Sequence, residues 1–208
     1  MRPVSSQRED TTTTILAAAE RLFCARGFAA VSMRDIGREA GVSHALIHRY
    51  LGSKQDVYRA VLKRADERIS SEMSEQPDFT AAVPRALRYA LTEQRAYMRL
   101  VTLSALQQLP YSTTSGQWPA TQRLMDLAEK QTRGAGERPD RIPPGFLIAT
   151  LISLAFGWTA LESWLRRGAG LEDLDDEALM DGLAQVAAAI AAQLDETEAS
   201  SPPPTRPS

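Results

Sequence analysis

The chain has 208 residues, of which 43% are hydrophobic and 24% are charged, the composition of an ordinary globular protein with a sizeable core. Its formal net charge of -2 excludes a uniformly basic protein that coats nucleic acid. The single cysteine, Cys24, excludes an internal disulfide, and because the N-terminus shows no apolar run typical of a signal peptide, we expect a cytoplasmic protein.

The charges are unevenly spread along the chain. Residues 1–68 contain 12 basic and 8 acidic residues, whereas residues 69–208 contain 12 basic and 18 acidic residues. A basic N-terminal part is drawn toward phosphate, and an acidic remainder is repelled from it. This distribution favours nucleic-acid binding by the first third of the chain, although a chance partition of solvated charges gives the same pattern.

The first predicted helix precedes Gly27. Residues 1–9 are polar and are predicted to be a disordered tail, and the threonines from Thr11 suit the beginning of a helix better than its interior. Apolar residues then recur at helical spacing: Ile15, Ala19, Leu22, Phe23 and Cys24. Because Cys24 belongs to this stripe, we interpret it as a core residue and not as a nucleophile.

A capping box predicts the next helix. The Ser32 hydroxyl can accept the backbone N–H of Asp35 while the Asp35 carboxylate accepts that of Ser32, so the helix begins at Met33. Gly41 ends this helix, because the closing residue takes a left-handed conformation that glycine adopts at little cost.

A second short helix follows after a tight turn. Ser43 is its N-cap, so the helix begins at His44 and ends before Gly52. Two helices separated by a turn of this kind are typical of the helix-turn-helix, whose second helix enters the DNA major groove. The residues expected on the exposed side of that helix are His44, Ala45, Leu46, His48 and Arg49. The arginine can pair with phosphate or guanine, the histidines can bond base edges, and alanine and leucine can contact a thymine methyl.

The two histidines admit a second interpretation. His44 and His48 lie four residues apart and could bind a metal ion, but zinc needs three or four ligands. No cysteine, histidine or carboxylate nearby is positioned to complete such a set. We therefore predict no metal site.

A further capping box, formed by Ser53 and Asp56, begins the helix that follows. Its first helical residue is Lys54, whose positive charge opposes the helix dipole unless an outside anion, such as a DNA phosphate, shares the site. Tyr50 is either a core residue with a buried hydroxyl partner or a rim residue that reaches a phosphate.

At this point a family resemblance can be stated. The stretch from Ile15 to about Leu62 resembles the DNA-binding domain of the tetracycline-repressor (TetR) family. The matching features are an A-x-x-L-F helix, G-F followed by S-M-R-D-I, the A-G-V-S turn, and a tyrosine followed by S-K at the expected spacing. Two positions depart from the usual pattern: Leu46 stands where a small or hydroxylated residue is common, and Leu51 where an aromatic residue is common.

The resemblance implies roles for the exposed residues. Those of the second helix, apart from Leu46, face the DNA groove, while the residues matching Tyr50 and Lys54 hold backbone phosphates. Residues at the beginnings of the two helices complete the predicted DNA-binding set, which is Ser32, Arg34, Ser43, His44, Ala45, Leu46, His48, Arg49, Tyr50 and Lys54.

The rest of the chain is predicted to be helical. Predicted helices, separated by loops rich in serine, glycine and proline, run from Lys54 to about Met73, from Thr80 to Leu109, from about Trp118 to Thr132 and from about Asp175 to Leu194. The first of these links the N-terminal part to the body, and in the TetR family it acts as a lever between the two.

Residues 142–161 contain no charged side chain, which meets the length criterion for a membrane span. Two prolines, two glycines and three hydroxyl-bearing residues leave the segment poorly apolar, so we predict a helix buried on all sides and no membrane segment. Burying every face takes a partner chain, and the last helix supplies a complementary stripe, as in the four-helix dimer cores of the family. The predicted interface residues are Leu151, Trp158, Leu161, Leu179, Leu183, Val186 and Ile190.

No catalytic motif is visible in the body. The sequence lacks a phosphate loop, a nucleophile elbow and a spaced Cys/His cluster, and the acidic run at 172–177 is explained by the preference of acids for a first helical turn. The family resemblance implies instead a pocket for a small, largely hydrophobic effector. The predicted lining residues are Tyr97, Gln107, Tyr111, Trp118, Phe146, Thr150 and Trp158.

The sequence therefore predicts an all-α fold. An N-terminal three-helix helix-turn-helix DNA-binding domain (10–53) is followed by a connecting helix (54–73), a C-terminal helical ligand-binding and dimerisation domain (74–195) and a disordered tail (196–208). The predicted function is a homodimeric repressor released from a palindromic double-stranded DNA operator by an effector, without cofactor, metal or catalytic residues. Two alternatives stay open: an effector-independent DNA-binding dimer, and a helical-bundle enzyme or interaction protein.

Overall fold

A computed structural model describes residues 4–107, 118–133 and 142–194, with side chains described from Arg8 onward. Every helix or strand in these ranges is an α-helix, which confirms the predicted fold class. The nine helices of the described part are Val4–Arg26 (α1), Met33–Ala40 (α2), His44–Leu51 (α3), Lys54–Glu72 (α4), Phe79–Leu91 (α5), Arg95–Leu106 (α6), Pro119–Thr132 (α7), Pro144–Gly168 (α8) and Asp176–Ala192 (α9). We call α1–α3 the head and α5–α9 the body. The predicted tail at 196–208 lies outside the described residues.

Local capping begins the helices of the head where the sequence predicts. The Ser32 hydroxyl accepts the Asp35 N–H at 3.1 Å, and the Asp35 carboxylate accepts the Ser32 N–H at 3.0 Å. Ser53 and Asp56 form the same pair of bonds at 3.2 Å and 2.9 Å. Gly41 ends α2 in the left-handed region, with φ of 69°. Both predicted capping boxes are thus confirmed, as are the beginnings of α2, α3 and α4.

One glycine of the head has a steric role that the sequence did not reveal. Gly37 lies inside α2, and a Cβ placed on it would be 2.7 Å from the Val42 carbonyl oxygen and 3.4 Å from the His44 nitrogen. Real Cβ atoms do not approach backbone oxygen so closely. The absence of a side chain at Gly37 therefore lets the turn and the N-terminus of α3 pack directly on α2.

The helix α4 makes specific contacts with both parts of the molecule. Its Arg68 donates to the Glu20 carboxylate on α1 and, at 3.0 Å, to the Gln94 side chain in the turn between α5 and α6. Its Tyr58 hydroxyl lies 2.5 Å from the Ser104 hydroxyl on α6. One continuous apolar core accompanies these bonds from the head into the body. A displacement of α4 therefore acts on both parts.

The prediction of a single long helix over Thr80 to Leu109 is wrong. The chain forms α5 and α6 instead, separated by a turn at residues 92–94. Gln94 in that turn is buried, where it accepts from Arg68 and donates to the Tyr89 hydroxyl at 3.1 Å. The break lets α5 pack on α9 while α6 packs on α8, so two different surfaces are buried.

Two further boundaries differ from the prediction. The first helix begins at Val4, inside the segment 1–9 predicted to be a disordered tail. Phe79, predicted to end a loop, is the first residue of α5 and is completely buried. Asp78 caps that helix by accepting the Ala81 N–H at 2.8 Å, a local signal that the apolar pattern did not show.

Within the single chain the helix α8 is buried on one side only, so the predicted burial of its other side falls to a partner chain. Leu147, Leu151 and Ala155 face the core, whereas Phe146 and Trp164 are 70% and 65% exposed. By length and composition it is the one helix in the described ranges that satisfies the criteria for a membrane span. Its inner face packs against α5, α6, α7 and α9, which accounts for the apolar residues on that side.

Candidate nucleic-acid interface and body cavity

The helix α3 has one buried residue and an outward face of polar and small side chains. Ile47 is fully buried against the head, and this single anchor sets the rotation of the helix. The four residues His44, Ala45, His48 and Arg49 are exposed, and Leu46 is half-buried. A short helix standing on the surface of the head in this way has the dimensions to enter a DNA major groove.

The two imidazole rings lie on neighbouring turns of α3. The ring centroids of His44 and His48 are 6.5 Å apart and nearly perpendicular. Among the residues that the structure describes, no group of three metal-ligating side chains is present. Both rings are therefore placed to exchange hydrogen bonds with groups outside the protein.

Two acidic residues near α3, one on α2 and one on α4, pair with arginines of their own helices. The Asp35 carboxylate lies 2.7 Å from Arg38, and the Asp56 carboxylate lies 2.6 Å from Arg59. Hydrogen bonds from Ser32 and Ser53 are the main cause that lowers the pKa of each carboxyl, so both stay ionised and paired. In the described part of the chain Arg49 belongs to no ion pair, which leaves its positive charge uncompensated.

The predicted phosphate-binding residues lie in the last turn of α3 and at the start of α4. Tyr50 is half-buried, and the Arg8 guanidinium lies 5.3 Å from the centre of its ring. The Lys54 ammonium lies 4.3 Å from the centre of the Phe28 ring and 3.4 Å from the Ala29 carbonyl oxygen. Burial lowers the pKa of Lys54. The side chain thus rests on the head and must swing outward to reach a phosphate.

The remaining predicted DNA-binding residues lie at the N-termini of α2 and α3. The Ser43 hydroxyl accepts the Leu46 N–H at 3.2 Å, and the Ser32 hydroxyl is occupied by its capping box. Arg34 is exposed in the first turn of α2. The sequence interpretation did not include Arg8, because residues 1–9 were predicted to be a disordered tail. The helix α1 begins at Val4, and this places Arg8 beside Tyr50.

A cavity of about 350 Å³ lies inside the body, partly open to solvent. Its wall is almost entirely apolar and is contributed by α4 to α8 and by the residue that precedes α7. The lining residues are Asp66, Ile69, Val83, Ala86, Leu87, Ala90, Tyr97, Met98, Val101, Trp118, Ala120, Thr121, Leu124, Leu151, Ile152, Ala155 and Phe156. Two residues of the predicted effector set, Tyr97 and Trp118, are among them.

A buried carboxyl group interrupts the apolar wall. Asp66 is 6% exposed, and its Oδ2 accepts the Ala120 N–H at 2.9 Å. Burial is the main cause that raises the pKa of this carboxyl to about 6, and the neighbouring Glu67 adds to the effect. The sequence interpretation missed it, although an acid between Leu62 and Ile69 on the inner stripe of α4 was a readable signal.

Four predicted effector residues lie elsewhere. Gln107 is exposed at the end of α6, and Phe146 and Thr150 point to solvent from α8, where the Thr150 hydroxyl donates to the Phe146 carbonyl at 2.8 Å. Trp158 lines a second, more polar cavity with Arg95 and Arg99. Tyr111 lies outside the described residues. The periodicity of α8 did not distinguish its two faces, because both are apolar.

The predicted interface residues divide into three groups by exposure. Leu151, Trp158 and Leu179 are buried within the chain itself, so they have no surface to offer a partner. Leu183 and Ile190 are half-buried against the core. Leu161 and Val186 are each about half exposed, on α8 and α9. The outward faces of these two helices therefore carry exposed apolar surface, as does α6 at Leu103 and Leu106.

Comparison with known proteins gives concordant findings. The family model described as bacterial regulatory proteins, tetR family, matches residues 15–61. The HTH-type transcriptional repressor Rv3405c of Mycobacterium tuberculosis is 29% identical over 86% of this chain and 87% of its own length. The HTH-type transcriptional regulator EthR of Mycolicibacterium smegmatis is 30% identical over 72% of each chain. A crystal structure of a TetR-family transcriptional regulator from Rhodococcus sp. has a TM-score of 0.64 and 17% identity over 88% of this chain and 99% of that chain.

Proposed function

The chain belongs to the TetR family of bacterial regulatory proteins, and from that membership we propose that it is a homodimeric repressor released from a palindromic operator by a small effector. The family consists of DNA-binding transcriptional regulators and not of enzymes. The observation that carries the proposal is the position of α4. It begins at Lys54, directly after the recognition helix α3, and its Asp66 and Ile69 form part of the cavity wall.

The proposed DNA contacts divide by chemistry. His48 and Arg49 stand on the exposed face of α3 and read base edges, since imidazole and guanidinium groups can bond the major-groove edge of a base pair. Tyr50 and Lys54 hold the backbone phosphates beside the groove. Arg8 lies against Tyr50 and adds positive charge at the same edge.

The proposed dimer joins a second copy of this chain to the outward faces of α8 and α9. Phe146, Leu161 and Trp164 form an exposed apolar line on α8, and Val186 continues it on α9. Exposed apolar surface of this extent on a soluble regulator marks an interaction site. Small residues on α9, among them Gly182 and Ala189, are exposed beside Val186 and allow a partner helix to approach closely.

Release follows from the connection between the cavity and α4. An effector in the cavity favours the arrangement of α4 that fits it, and the tilt of α4 changes the separation of the two α3 helices in the dimer. Two heads that no longer match successive major grooves lose the operator. A regulator that binds the chromosome in this way acts in the cytoplasm.

The first test is DNA selection with the full chain. Genomic fragments retained by the protein should share a palindrome, and a duplex carrying that palindrome should bind the wild type tightly in an anisotropy titration at fixed salt. Arg49→Ala should weaken binding by about tenfold or more, as loss of a base contact does. Arg133→Ala, an exposed arginine at the end of α7, is the matched control and should leave affinity unchanged. Equal losses in the two variants would show that α3 is not the reading surface.

The second test addresses the dimer. Leu161→Glu places a charge in the proposed interface and should convert the protein to a monomer in sedimentation analysis. Leu103→Glu changes an equally exposed leucine, 53% against 50%, on the outer face of α6 and should leave the dimer intact. A Leu161→Glu protein that remains dimeric would place the interface elsewhere.

The third test separates the proposal from an effector-independent dimer. Ala86→Leu and Ala155→Leu fill the cavity with side-chain carbons while keeping its apolar character. Compounds that raise the melting temperature of the wild type and release the operator should lose both effects in these variants. If release persists with the cavity filled, the effector acts at another site.

A further inference from the structure

Asp66 is the only charged side chain among the described residues that line the cavity. Its Oδ2 accepts the backbone N–H of Ala120 at 2.9 Å, near the start of α7. In the described part of the chain no lysine, arginine or histidine pairs with it, and its other carboxyl oxygen has no protein donor. The group is buried and partnered on one side only.

An uncompensated carboxylate in an apolar wall has a clear ligand preference. Burying an ionised carboxylate costs several kcal/mol unless an opposite charge or further hydrogen bonds offset the lost hydration. A cation inside the cavity supplies both, whereas an anion is repelled. A neutral hydroxyl supplies only one hydrogen bond.

We propose that the cavity selects a small amphipathic amine, with an apolar body against the wall and an ammonium group that donates to the carboxylate of Asp66. This inference rests on the proposed effector site and specifies the chemistry of its ligand. The cavity of about 350 Å³ lies at the lower end of the range of ligand pockets, roughly 300–1,000 Å³, which suits a compact ligand.

The bond between Asp66 and Ala120 also bears on DNA binding, because it holds α4. Asp66 belongs to α4, and its bond to Ala120 ties α4 to the N-terminus of α7. An ammonium group bound to the other carboxyl oxygen pulls the carboxylate toward the cavity and so changes the geometry of that bond. Binding of the amine therefore changes how α4 is held against the body, and α4 begins beside the recognition helix.

Three probes with one apolar body test the ligand class. 4-Phenylbutylamine, 4-phenylbutanol and 5-phenylvalerate each carry a phenyl ring on four methylenes and differ only in the terminal group, which is cationic, neutral or anionic. Each is titrated calorimetrically, near neutral pH, into the full-length wild type, Asp66→Asn and Glu67→Gln. Asp66→Asn keeps the shape and an oxygen that accepts the Ala120 N–H, while Glu67→Gln removes the adjacent, exposed carboxylate of α4 as a matched control.

We expect the wild type to bind the amine about tenfold or more tightly than the alcohol and to bind the carboxylate most weakly. Asp66→Asn should lose the preference for the amine, and Glu67→Gln should keep it. If Asp66 served only to cap α7, Asp66→Asn would leave the order of the affinities for the three probes unchanged.

The inference is overturned if the wild type binds the alcohol as tightly as the amine, if it binds no amine, or if Asp66→Asn keeps the preference. Titration of the cavity-filling variant Ala86→Leu distinguishes this failure from failure of the proposed function. Alcohol binding that disappears in Ala86→Leu retains the effector site and rejects only the amine. Binding of every probe that is unchanged in Ala86→Leu rejects the cavity as the effector site.

Discussion

The head and the body hold their working side chains in opposite ways. In the head, α3 is anchored by the single buried Ile47 and presents imidazole and guanidinium groups to solvent. In the body, α5 to α8 together with α4 turn apolar side chains toward a cavity in which Asp66 is the one charged group among the described lining residues. The exposed face of α3 suits a large polar partner, and we propose that the cavity encloses a small amphipathic one.

The two parts also differ in how their geometry is held. Hydrogen bonds between residues three apart fix the helix starts of the head, as at Ser32 and Asp35. The cavity depends on packing between residues as distant as Asp66 and Phe156. A substitution in the head should consequently disturb contacts between residues close in sequence, whereas a substitution at the cavity should disturb contacts between distant helices.

The strongest disruption of the head is expected from Gly37→Ala. The added Cβ lies 2.7 Å from the Val42 carbonyl oxygen, a backbone atom that cannot rotate away, so α2 and α3 must separate. We expect a loss of about 3 kcal/mol in the free energy of unfolding, as for overpacked sites, together with loss of operator binding. Denaturant unfolding and anisotropy titration measure the two effects.

Gly168→Ala is the control for that substitution. Gly168 ends α8 with open space around it, so the added methyl meets no atom within 4 Å. Stability and operator affinity should stay close to those of the wild type. A Gly37→Ala protein as stable and as active as Gly168→Ala would contradict the close packing of the helix-turn-helix.

A change of opposite sign is expected at the cavity for Asp66→Asn. The folded pKa of about 6 lies above the ordinary aspartate value of 3.8, so between these values the folded state keeps a proton that the unfolded chain has lost. Wild-type stability therefore falls as pH rises from about 4 to about 6 and is level above that range. Asn carries no such dependence, and the variant should be more stable than the wild type by about 3 kcal/mol at neutral pH.

Urea unfolding of both proteins across that pH range measures the difference. The advantage of Asp66→Asn should be largest near neutral pH and should shrink toward pH 4, where both side chains are neutral. An advantage that is independent of pH would mean that the carboxylate of Asp66 is not destabilised by burial.

The comparison can be sharpened within the head by separating phosphate contacts from base contacts. Lys54→Ala should weaken binding to operator and to unrelated DNA by the same factor, about fivefold or roughly 1 kcal/mol, and lower the salt dependence by about one unit. His48→Ala should instead alter the preference at one base position. Lys130→Ala removes one positive charge from the exposed end of α7 and is the matched control, which should leave DNA affinity unchanged. If Lys54→Ala changed sequence preference and His48→Ala did not, the two roles would be reversed.

The smallest effect concerns Cys24. Burial is the main cause that raises the pKa of this thiol to about 11, and Glu20 adds to the effect, so almost no thiolate exists at neutral pH. Iodoacetamide should modify the folded protein far more slowly than the unfolded chain, as mass spectrometry over time can show. Equal rates would indicate that α1 opens readily at this position.

Sequence reasoning reached the parts of the molecule that local chemistry decides. The capping residues Ser32, Ser43 and Ser53 place three helix starts correctly because each bond spans only three residues. Gly37 escaped notice because its role depends on the oxygen of Val42 across the turn. The break at residues 92–94 also escaped, since burial of Gln94 against Arg68 is a tertiary effect.

Site residues in the body were harder to predict because their positions also depend on tertiary packing. The outward position of Phe146 and the inward position of Leu151 cannot be distinguished by periodicity when both faces of α8 are apolar. Asp66 could have been identified from the sequence but was missed. An acid on an apolar stripe needs a partner or a ligand. In the head, by contrast, polarity alone predicts which residues are exposed. His44, His48 and Arg49 of α3 are exposed as predicted.

The spacing of the operator half-sites tests the paired reading surface most directly. With the selected palindrome as the reference, about five base pairs are inserted between its halves, which turns one half-site by half a helical turn. If two α3 helices bind together, the affinity of the full-length protein should fall by roughly a hundredfold, toward that of a non-specific duplex. Unchanged affinity for the lengthened duplex would contradict a dimer that reads both halves at once.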